Sequence, residues 1–219
     1  MDNIIIIEKL HKSFGKTEVL HGITKTFEMS KIHGLVGNNG SGKTVLMKCI
    51  CGFLIPDEGS VTVNGKVIGR DTDFPQNTGI IIETPGFLPS VSGYENLRLL
   101  ASLRHVIGKD EIYKTMREVG LDPASHKRVG EYSLGMRQRL GIAQAIMESP
   151  EVLILDEPFN GLDRGGVEEI RELLLALSES GITILLSDHN SENISTLCDT
   201  VTVVDAGVIV SEYENEHGG

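Results

Sequence analysis

The chain has 219 residues, of which 40% are hydrophobic and 23% are charged, and its formal net charge is −11. This composition is typical of a globular domain and excludes disordered and fibrous proteins, while the acidic balance argues against nucleic acid as a partner. Three cysteines are too few for a disulfide framework, so we expect them to be reduced residues of the core.

The first third of the chain predicts short strands around a glycine-rich turn. Residues 4–10, 31–36 and 60–63 are rich in β-branched side chains and bounded by turn formers, which is typical of strands. Residues 37–44 read Gly-Asn-Asn-Gly-Ser-Gly-Lys-Thr and fit the G-x-x-x-x-G-K-[ST] phosphate loop between a strand and a helix. The alternative is an ordinary glycine-rich turn, which a full match in this context makes remote.

This loop predicts a site for ATP and Mg²⁺. Its glycines let successive N–H groups turn around phosphate oxygens, and the following helix adds a favourable potential. Lys43 is expected to reach the terminal phosphates, and Thr44 to ligate Mg²⁺. The acidic net charge does not oppose such a site, because one lysine and a set of backbone amides suffice. The predicted ATP-binding residues here are Gly37, Asn38, Asn39, Gly40, Ser41, Gly42, Lys43 and Thr44.

The middle of the chain is predicted to be helical. Apolar residues recur at helical spacing across residues 94–119, and again from Met136 to Met147. Ser133 stands where a helix cap would precede the second pattern. A serine hydroxyl and exposed N–H groups at a helix start also suit a γ-phosphate, and the spacing alone does not choose between the cap and this second anion site.

The last third alternates strand and helix, which predicts a parallel sheet. Strands are expected at residues 152–155, 182–186 and 201–204, with a helix between the first two. Asp156 and Glu157 follow the first of these strands, as carboxylates beside a bound nucleotide do. We expect Asp156 to hold Mg²⁺ and Glu157 to polarise the attacking water. Without the phosphate loop, the two acids would predict only a charged turn.

Together these motifs make the chain resemble the ABC ATPase family over nearly its whole length and in the family's order. Ser-Leu-Gly-Met at residues 133–136 resembles the family signature, and Asn-Gly-Leu-Asp at residues 160–163 resembles its D-loop. The resemblance implies that Ser133 and Gly135 face the ATP held by an opposite protomer, and it places Asp163 among the ATP-contacting residues. One chain would then carry two half-sites.

The resemblance also singles out residues near the two ends of the chain. His189 looks like the switch histidine and is expected to be catalytic with Lys43 and Glu157, although an isolated histidine at a strand end is more often a capped or solvent-facing residue. Phe14 resembles the aromatic residue that stacks on adenine, and Thr17 is placed beside it in the nucleotide site. Phe14 could equally be a core residue.

Two departures from the family pattern stand out. Glu83 occupies the position of the Q-loop glutamine, where it could approach Mg²⁺ but adds negative charge near the γ-phosphate. In the signature, Leu134 replaces the first glycine and Met136 the glutamine, and the added bulk is expected to weaken ATP-driven pairing. This combination resembles bacterial ABC subunits associated with antimicrobial-peptide export and with bacitracin or lantibiotic resistance.

The fold class expected from this resemblance is α/β: a RecA-like P-loop NTPase core with an antiparallel β subdomain and an inserted helical subdomain, of the ABC ATPase type. The core and β subdomain would cover residues 1–86 and 150–211, and the helical subdomain residues 87–149. Residues 212–219 contain few apolar side chains and are predicted to form a loose tail.

The resulting functional hypothesis is an ATP-hydrolysing subunit of an ABC transporter, of exporter type. Its partners would be a second nucleotide-binding subunit, identical or related, and integral membrane permease subunits at the cytoplasmic face of the cell membrane. No apolar run of the chain approaches the ~20 residues that cross a bilayer.

Two other functions remain open. A non-transport ABC ATPase that remodels a macromolecular complex would normally carry a second cassette or a long coiled coil. A P-loop small-molecule kinase would share Lys43 and Thr44 but would have no use for the Ser133 signature or His189.

Overall fold

The β-branched segments of the chain form the strands of two sheets. The computed structural model describes residues 2–83 and 86–215, so Thr84 and Pro85 of the predicted Q-loop segment lie outside the described residues. The described elements are β1 (Asn3–Phe14), β2 (Thr17–Glu28), β3 (Ile32–Val36), α1 (Lys43–Ile50), β4 (Glu58–Val63), β5 (Lys66–Val67), β6 (Thr78–Ile81), α2 (Gly93–Arg104), α3 (Lys109–Glu118), a 3-10 turn (Val129–Glu131), α4 (Leu134–Ile146), β7 (Val152–Asp156), α5 (Arg164–Glu179), β8 (Thr183–Ser187), α6 (Ser191–Leu197), β9 (Thr200–Asp205) and β10 (Val208–Glu214).

The larger sheet has the strand order β10-β9-β3-β8-β7-β6, and all its pairs are parallel except β10 with β9. The predicted parallel sheet is therefore confirmed. Its central strands β3, β7 and β8 are buried along nearly their whole length. Strands covered on both faces need apolar side chains on both, which explains the unbroken apolar runs in the sequence.

The smaller sheet is antiparallel, with the order β2-β1-β4-β5. Its first strand is longer than predicted and runs on to Phe14, because the chain turns back only at Gly15, whose φ is 62°. The turn brings Phe14 opposite Thr17 at the closed end of the β1–β2 hairpin. The ring and the threonine thus lie together at the tip of this hairpin.

Helices α2, α3 and α4 and the 3-10 turn fall in the region predicted to be helical. Helix α2 starts at a capping box, in which the Glu95 N–H donates to Ser92 Oγ (3.2 Å) and the Ser92 N–H donates to Glu95 Oε2 (2.9 Å). Buried Leu97, Ile112 and Leu140 join these helices in one apolar cluster that continues into the larger sheet. No helix in the described part of the chain is long and apolar enough to span a membrane.

The three cysteines are buried and unpaired, as expected for reduced core residues. Burial raises the pKa of Cys49 to about 11 and that of Cys198 to about 12, and it raises the pKa of Cys51 further still. A buried thiol resists ionisation because the thiolate would lose its hydration. These side chains therefore act as small apolar residues.

The last strand extends beyond the predicted boundary. Residues 212–219 were expected to be a loose tail, but Glu212, Tyr213 and Glu214 pair with β9. That part of the prediction is wrong because an exposed edge strand is stabilised by backbone hydrogen bonds and leaves no apolar pattern in the sequence. Residues 216–219 lie outside the described residues.

Candidate functional site

The phosphate loop joins β3 to α1 and has a backbone that only glycine adopts easily. Gly37 has a φ of 154°, and a Cβ there would lie 2.1 Å from the carbonyl oxygen of Val204. Gly42, with a φ of 107°, caps α1, and a Cβ there would lie 2.9 Å from Leu20 Cδ2. Positive φ and close neighbours together exclude larger residues. The predicted strand, loop and helix are thus present in order.

Lys43 is directed into this loop. Its Nζ donates to the carbonyl oxygens of Gly37 (2.7 Å) and Asn38 (3.1 Å). Asn38, Asn39 and Gly40 are exposed. Ser41 is buried, and its Oγ has no hydrogen-bond partner among the described residues. The loop therefore offers an ammonium group and exposed backbone at one place, the groups that an anionic oxygen binds.

Strand β7 brings its terminal acid to the loop. The Thr44 hydroxyl donates to Asp156 Oδ2 (3.0 Å), and the Ser187 hydroxyl donates to Asp156 Oδ1. Asp156 pairs with Ser187 in the register of β7 with β8, which places the two side chains next to each other. Ser187 was not predicted as a site residue. The only signal for it in the sequence is its place at the end of a neighbouring parallel strand.

Glu157 follows Asp156 in a constrained backbone. Its φ is 50°, and its N–H donates to the carbonyl oxygen of Ser187 (3.0 Å). The Gln138 side chain of α4 donates to the Glu157 carbonyl oxygen (3.3 Å), a contact that the sequence did not predict. His189 Nδ1 lies 3.9 Å from Glu157 Oε1, so the structure brings these two predicted catalytic side chains together. The left-handed conformation is costly for a glutamate, and its surroundings maintain it.

The His189 segment is anchored through its buried neighbour Asp188. Asp188 Oδ1 accepts from the Asn190 N–H (2.8 Å), and Oδ2 accepts from Asn193 Nδ2 (2.5 Å). Asn193 Oδ1 in turn accepts from Arg171 Nη2 (2.5 Å), on α5. These three buried polar side chains satisfy one another and fix the start of the His189 segment.

Glu83 lies at the edge of the same site, and its carboxylate contacts α1. Glu83 follows the end of β6 and has a φ of 62°. Its Oε1 is 2.6 Å from Lys48 Nζ on α1. It lines one cavity together with Thr44, Asp156 and Glu157. The predicted metal ligand is thus beside the other two candidates, with its carboxylate paired to a lysine.

The hydroxyl of Thr44 and the carboxylate of Asp156 fit a magnesium ion. Mg²⁺ prefers oxygen ligands, keeps several waters and is usually held by one or two carboxylates together with substrate phosphates. The direct hydrogen bond of Thr44 to Asp156 places two such oxygen donors together beside the phosphate loop. Within residues 2–83 and 86–215, no group of three or more His, Cys, Asp or Glu side chains is arranged to hold a metal ion.

Ser133 and Asp163 both cap helices within this chain. Ser133 Oγ accepts from the Met136 N–H (3.1 Å) at the start of α4, and Asp163 Oδ1 accepts from the Gly166 N–H (2.9 Å) at the start of α5. A Cβ on Gly135 would lie 2.8 Å from the carbonyl oxygen of Gly161. The signature and D-loop segments therefore pack against each other, with Leu134 half exposed beside them.

Phe14 is not a core residue, because 49% of it is exposed at the tip of the β1–β2 hairpin. Lys12 Nζ lies 5.8 Å from the centre of its ring, and Thr17 beside it is also exposed. The hairpin is tied to the phosphate loop through Gly207. The Gly207 carbonyl oxygen accepts from the His21 N–H (3.0 Å), and the Gly207 N–H donates to the Ser41 carbonyl oxygen (2.9 Å). The hairpin that carries this exposed aromatic ring is thereby joined to the loop.

Comparison with known proteins gives consistent similarities. The family model for ABC transporters matches residues 20–160, which include the phosphate loop, Ser133, Asp156 and Glu157. The bacitracin transport ATP-binding protein BcrA of Enterococcus faecalis is 43% identical over 97% of this chain and 70% of its own length. The lantibiotic transport ATP-binding protein SrtF of Streptococcus pyogenes is 35% identical over 95% of this chain and 90% of its own. A solved structure of the ATP-binding subunit of an ABC transporter matches with a TM-score of 0.86 and 26% identity, over 96% of this chain and 90% of that one.

Proposed function

We propose that this chain, which belongs to the ABC transporter family as an ATP-binding and ATP-hydrolysing subunit, drives an exporter. It would do so as one of two subunits that bind ATP between them. This membership confirms the predicted fold class and the predicted ATPase activity. The pair would work on separate integral membrane permease subunits at the cytoplasmic face of the cell membrane. The names of the bacitracin and lantibiotic relatives support an antimicrobial peptide as the class of cargo.

ATP binds with its phosphates in the phosphate loop. Lys43 exchanges the two carbonyl oxygens that it now contacts for phosphate oxygens, and the loop N–H groups supply the remaining donors. Phe14 stacks on adenine through its exposed face, which needs no hydrogen bonds to the base edges. Thr17 lies at the same hairpin tip and borders the nucleotide there.

Hydrolysis takes place at the end of β7. Thr44 and Asp156 would hold Mg²⁺, which when bound neutralises charge on the phosphate oxygens. Glu157, which directly follows β7, orients and polarises the attacking water. His189, at 3.9 Å from that carboxylate, completes the arrangement on the γ-phosphate side. Phosphoryl transfer requires positioning and charge stabilisation more than covalent chemistry, which suits this set of residues.

The pairing of two subunits completes each site. Ser133 and Gly135 of one subunit face the ATP bound by the other, and Asp163 lies in the segment packed beside them. ATP then closes the pair and hydrolysis reopens it, which turns a chemical step into motion. The segment that contains Glu83 and the helices that follow it carry this motion to the permease.

The observation that supports this proposal most directly is the Thr44–Asp156 hydrogen bond of 3.0 Å, because it unites the phosphate loop with the acids of β7. Substitution Glu157→Gln keeps the shape of the side chain but removes its basicity. We expect steady-state phosphate release to fall by about 10²–10⁴-fold while binding of a fluorescent ATP analogue persists. The matched control is Glu172→Gln, an exposed position on α5 where the same change should leave both measurements unchanged. Undiminished phosphate release by Glu157→Gln would remove Glu157 from catalysis.

A further inference from the structure

An ion pair joins Lys48 to Glu83, one of the residues that line the cavity beside Asp156 and Glu157. Lys48 Nζ and Glu83 Oε1 are 2.6 Å apart. Lys48 follows Thr44 by one helical turn of α1, which is about 6 Å along the helix axis. Glu83 belongs to the segment that leaves the end of β6. The pair therefore connects α1, the helix after the phosphate loop, to the segment that follows β6 at the edge of the larger sheet.

Glu83 adds a third carboxylate to the region where phosphates bind. Strands β6 and β7 are parallel, and Ile81 pairs with Leu155, so their two exits run side by side. Glu83 consequently lines one cavity with Asp156 and Glu157. Like charges that line one cavity repel one another, and they also repel a triphosphate. A third carboxylate at this place requires a counter-charge if ATP is to bind well.

Lys48 is placed to supply that charge. Its side chain is 27% exposed, whereas that of Glu83 is 66% exposed, so the lysine is the more firmly packed partner. Exposed ion pairs contribute little to the stability of a fold. The main effect of this pair is therefore expected in the electrostatic potential of the site.

We propose that Lys48 is a positioning residue, which holds the Glu83 carboxylate at the edge of the ATP site and neutralises it. ATP then meets two uncompensated carboxylates in place of three. The proposal rests on the proposed ATP-binding function, and it extends that function to a lysine outside the phosphate-loop motif.

A double-mutant cycle tests this role through binding alone. Wild type, Lys48→Gln, Glu83→Gln and the double variant are titrated with a fluorescent ATP analogue in EDTA, so that neither metal nor turnover contributes. We expect Lys48→Gln to weaken binding about three- to tenfold in the wild-type background, because Glu83 is left uncompensated. In the Glu83→Gln background the same substitution should change affinity by less than about twofold. The loss should also shrink near 1 M salt, where the screening length falls to about 3 Å.

Three further variants guard against indirect effects. Lys48→Arg keeps the charge and should keep the affinity, while Lys48→Met is a second neutral variant that preserves the apolar stem. Lys114→Gln removes a charge from an ion pair on α3, where Lys114 Nζ is 3.6 Å from Glu118, and should leave affinity unchanged. Thermal unfolding temperatures of all variants should stay close together.

The outcomes separate the two levels of the proposal. An equal loss of affinity on Lys48→Gln in both backgrounds, or no loss in either, overturns the role of Lys48 while the ATP site stands. A wild-type protein that fails to bind the analogue at all, with or without Mg²⁺, overturns the proposed function and this inference with it.

Discussion

Among single residues, His33 makes the stability of the strand before the phosphate loop depend on pH. Its Nε2 faces the carbonyl oxygen of Glu28 (2.9 Å), which can only accept, so Nε2 carries the proton and Nδ1 accepts from the Thr200 hydroxyl (2.6 Å). This neutral ring is buried, and burial lowers the pKa of His33. The unfolded chain therefore takes up the proton first as the pH falls.

The sign of the effect follows from that difference. The contribution of the neutral His33 ring to stability is fully present above the unfolded histidine pKa of about 6.5. It is lost as the pH falls from there toward the folded pKa. When the pH is lowered from 7.5 to 5.5, the titration of His33 should lower the free energy of unfolding by up to about 1.4 kcal/mol. Urea unfolding at both pH values measures this loss. His33→Gln keeps a donor and an acceptor but does not titrate, so it should lose less stability on acidification; an equal loss would exclude His33 as the cause.

Among the secondary-structure elements, α5 and α6 meet through the buried Arg171–Asn193–Asp188 contacts, and Asp188 directly precedes His189. Asn193→Leu keeps the branching of the side chain at Cγ but removes an acceptor from the arginine and a donor from the aspartate. Removing the Asn193 partner from each of these two buried charged groups should lower the free energy of unfolding by about 1–3 kcal/mol, measured in urea. Phosphate release should fall as well, because His189 follows Asp188 directly.

A nearby substitution controls for a general effect on α6. Glu192 lies 3.8 Å from Arg171 but is 75% exposed, so Glu192→Gln should lower the free energy of unfolding by no more than about 1 kcal/mol. Destabilisation by Glu192→Gln that matches or exceeds that of Asn193→Leu would show that the buried asparagine does not join the two helices.

The elements themselves were largely predictable from the sequence, and the contacts between them were not. Apolar runs predict β3, β7 and β8 because both faces of these strands are buried, and the phosphate-loop motif predicts the position of α1. The pair of Lys48 with Glu83 joins residues that are distant in sequence, and no periodicity marks it. The same holds for Ser187 beside Asp156. Such contacts depend on strand register and helix placement, which local patterns do not determine.

For the whole molecule, the central question is whether Ser133 serves only as a cap or also binds the ATP of a second subunit. Within one chain its hydroxyl caps α4 through the Met136 N–H at 3.1 Å. Asp and Asn cap helices as well as Ser does, and a negative charge also suits a helix N-terminus. Ser133→Asp and Ser133→Asn should therefore leave the free energy of unfolding of the isolated chain within about 0.5 kcal/mol of wild type.

In the assembled pair the two substitutions should differ, because only Ser133→Asp brings a negative charge to a phosphate. Each chain already carries a formal charge of −11, so two copies repel, and the contacts with ATP must overcome that repulsion. In a Glu157→Gln background, where ATP persists, sedimentation should show a dimer for the unaltered signature. It should show less dimer for Ser133→Asn and a monomer for Ser133→Asp. Because the last two side chains have the same shape, their difference isolates charge, and equal dimerisation by both would place Ser133 away from the phosphates.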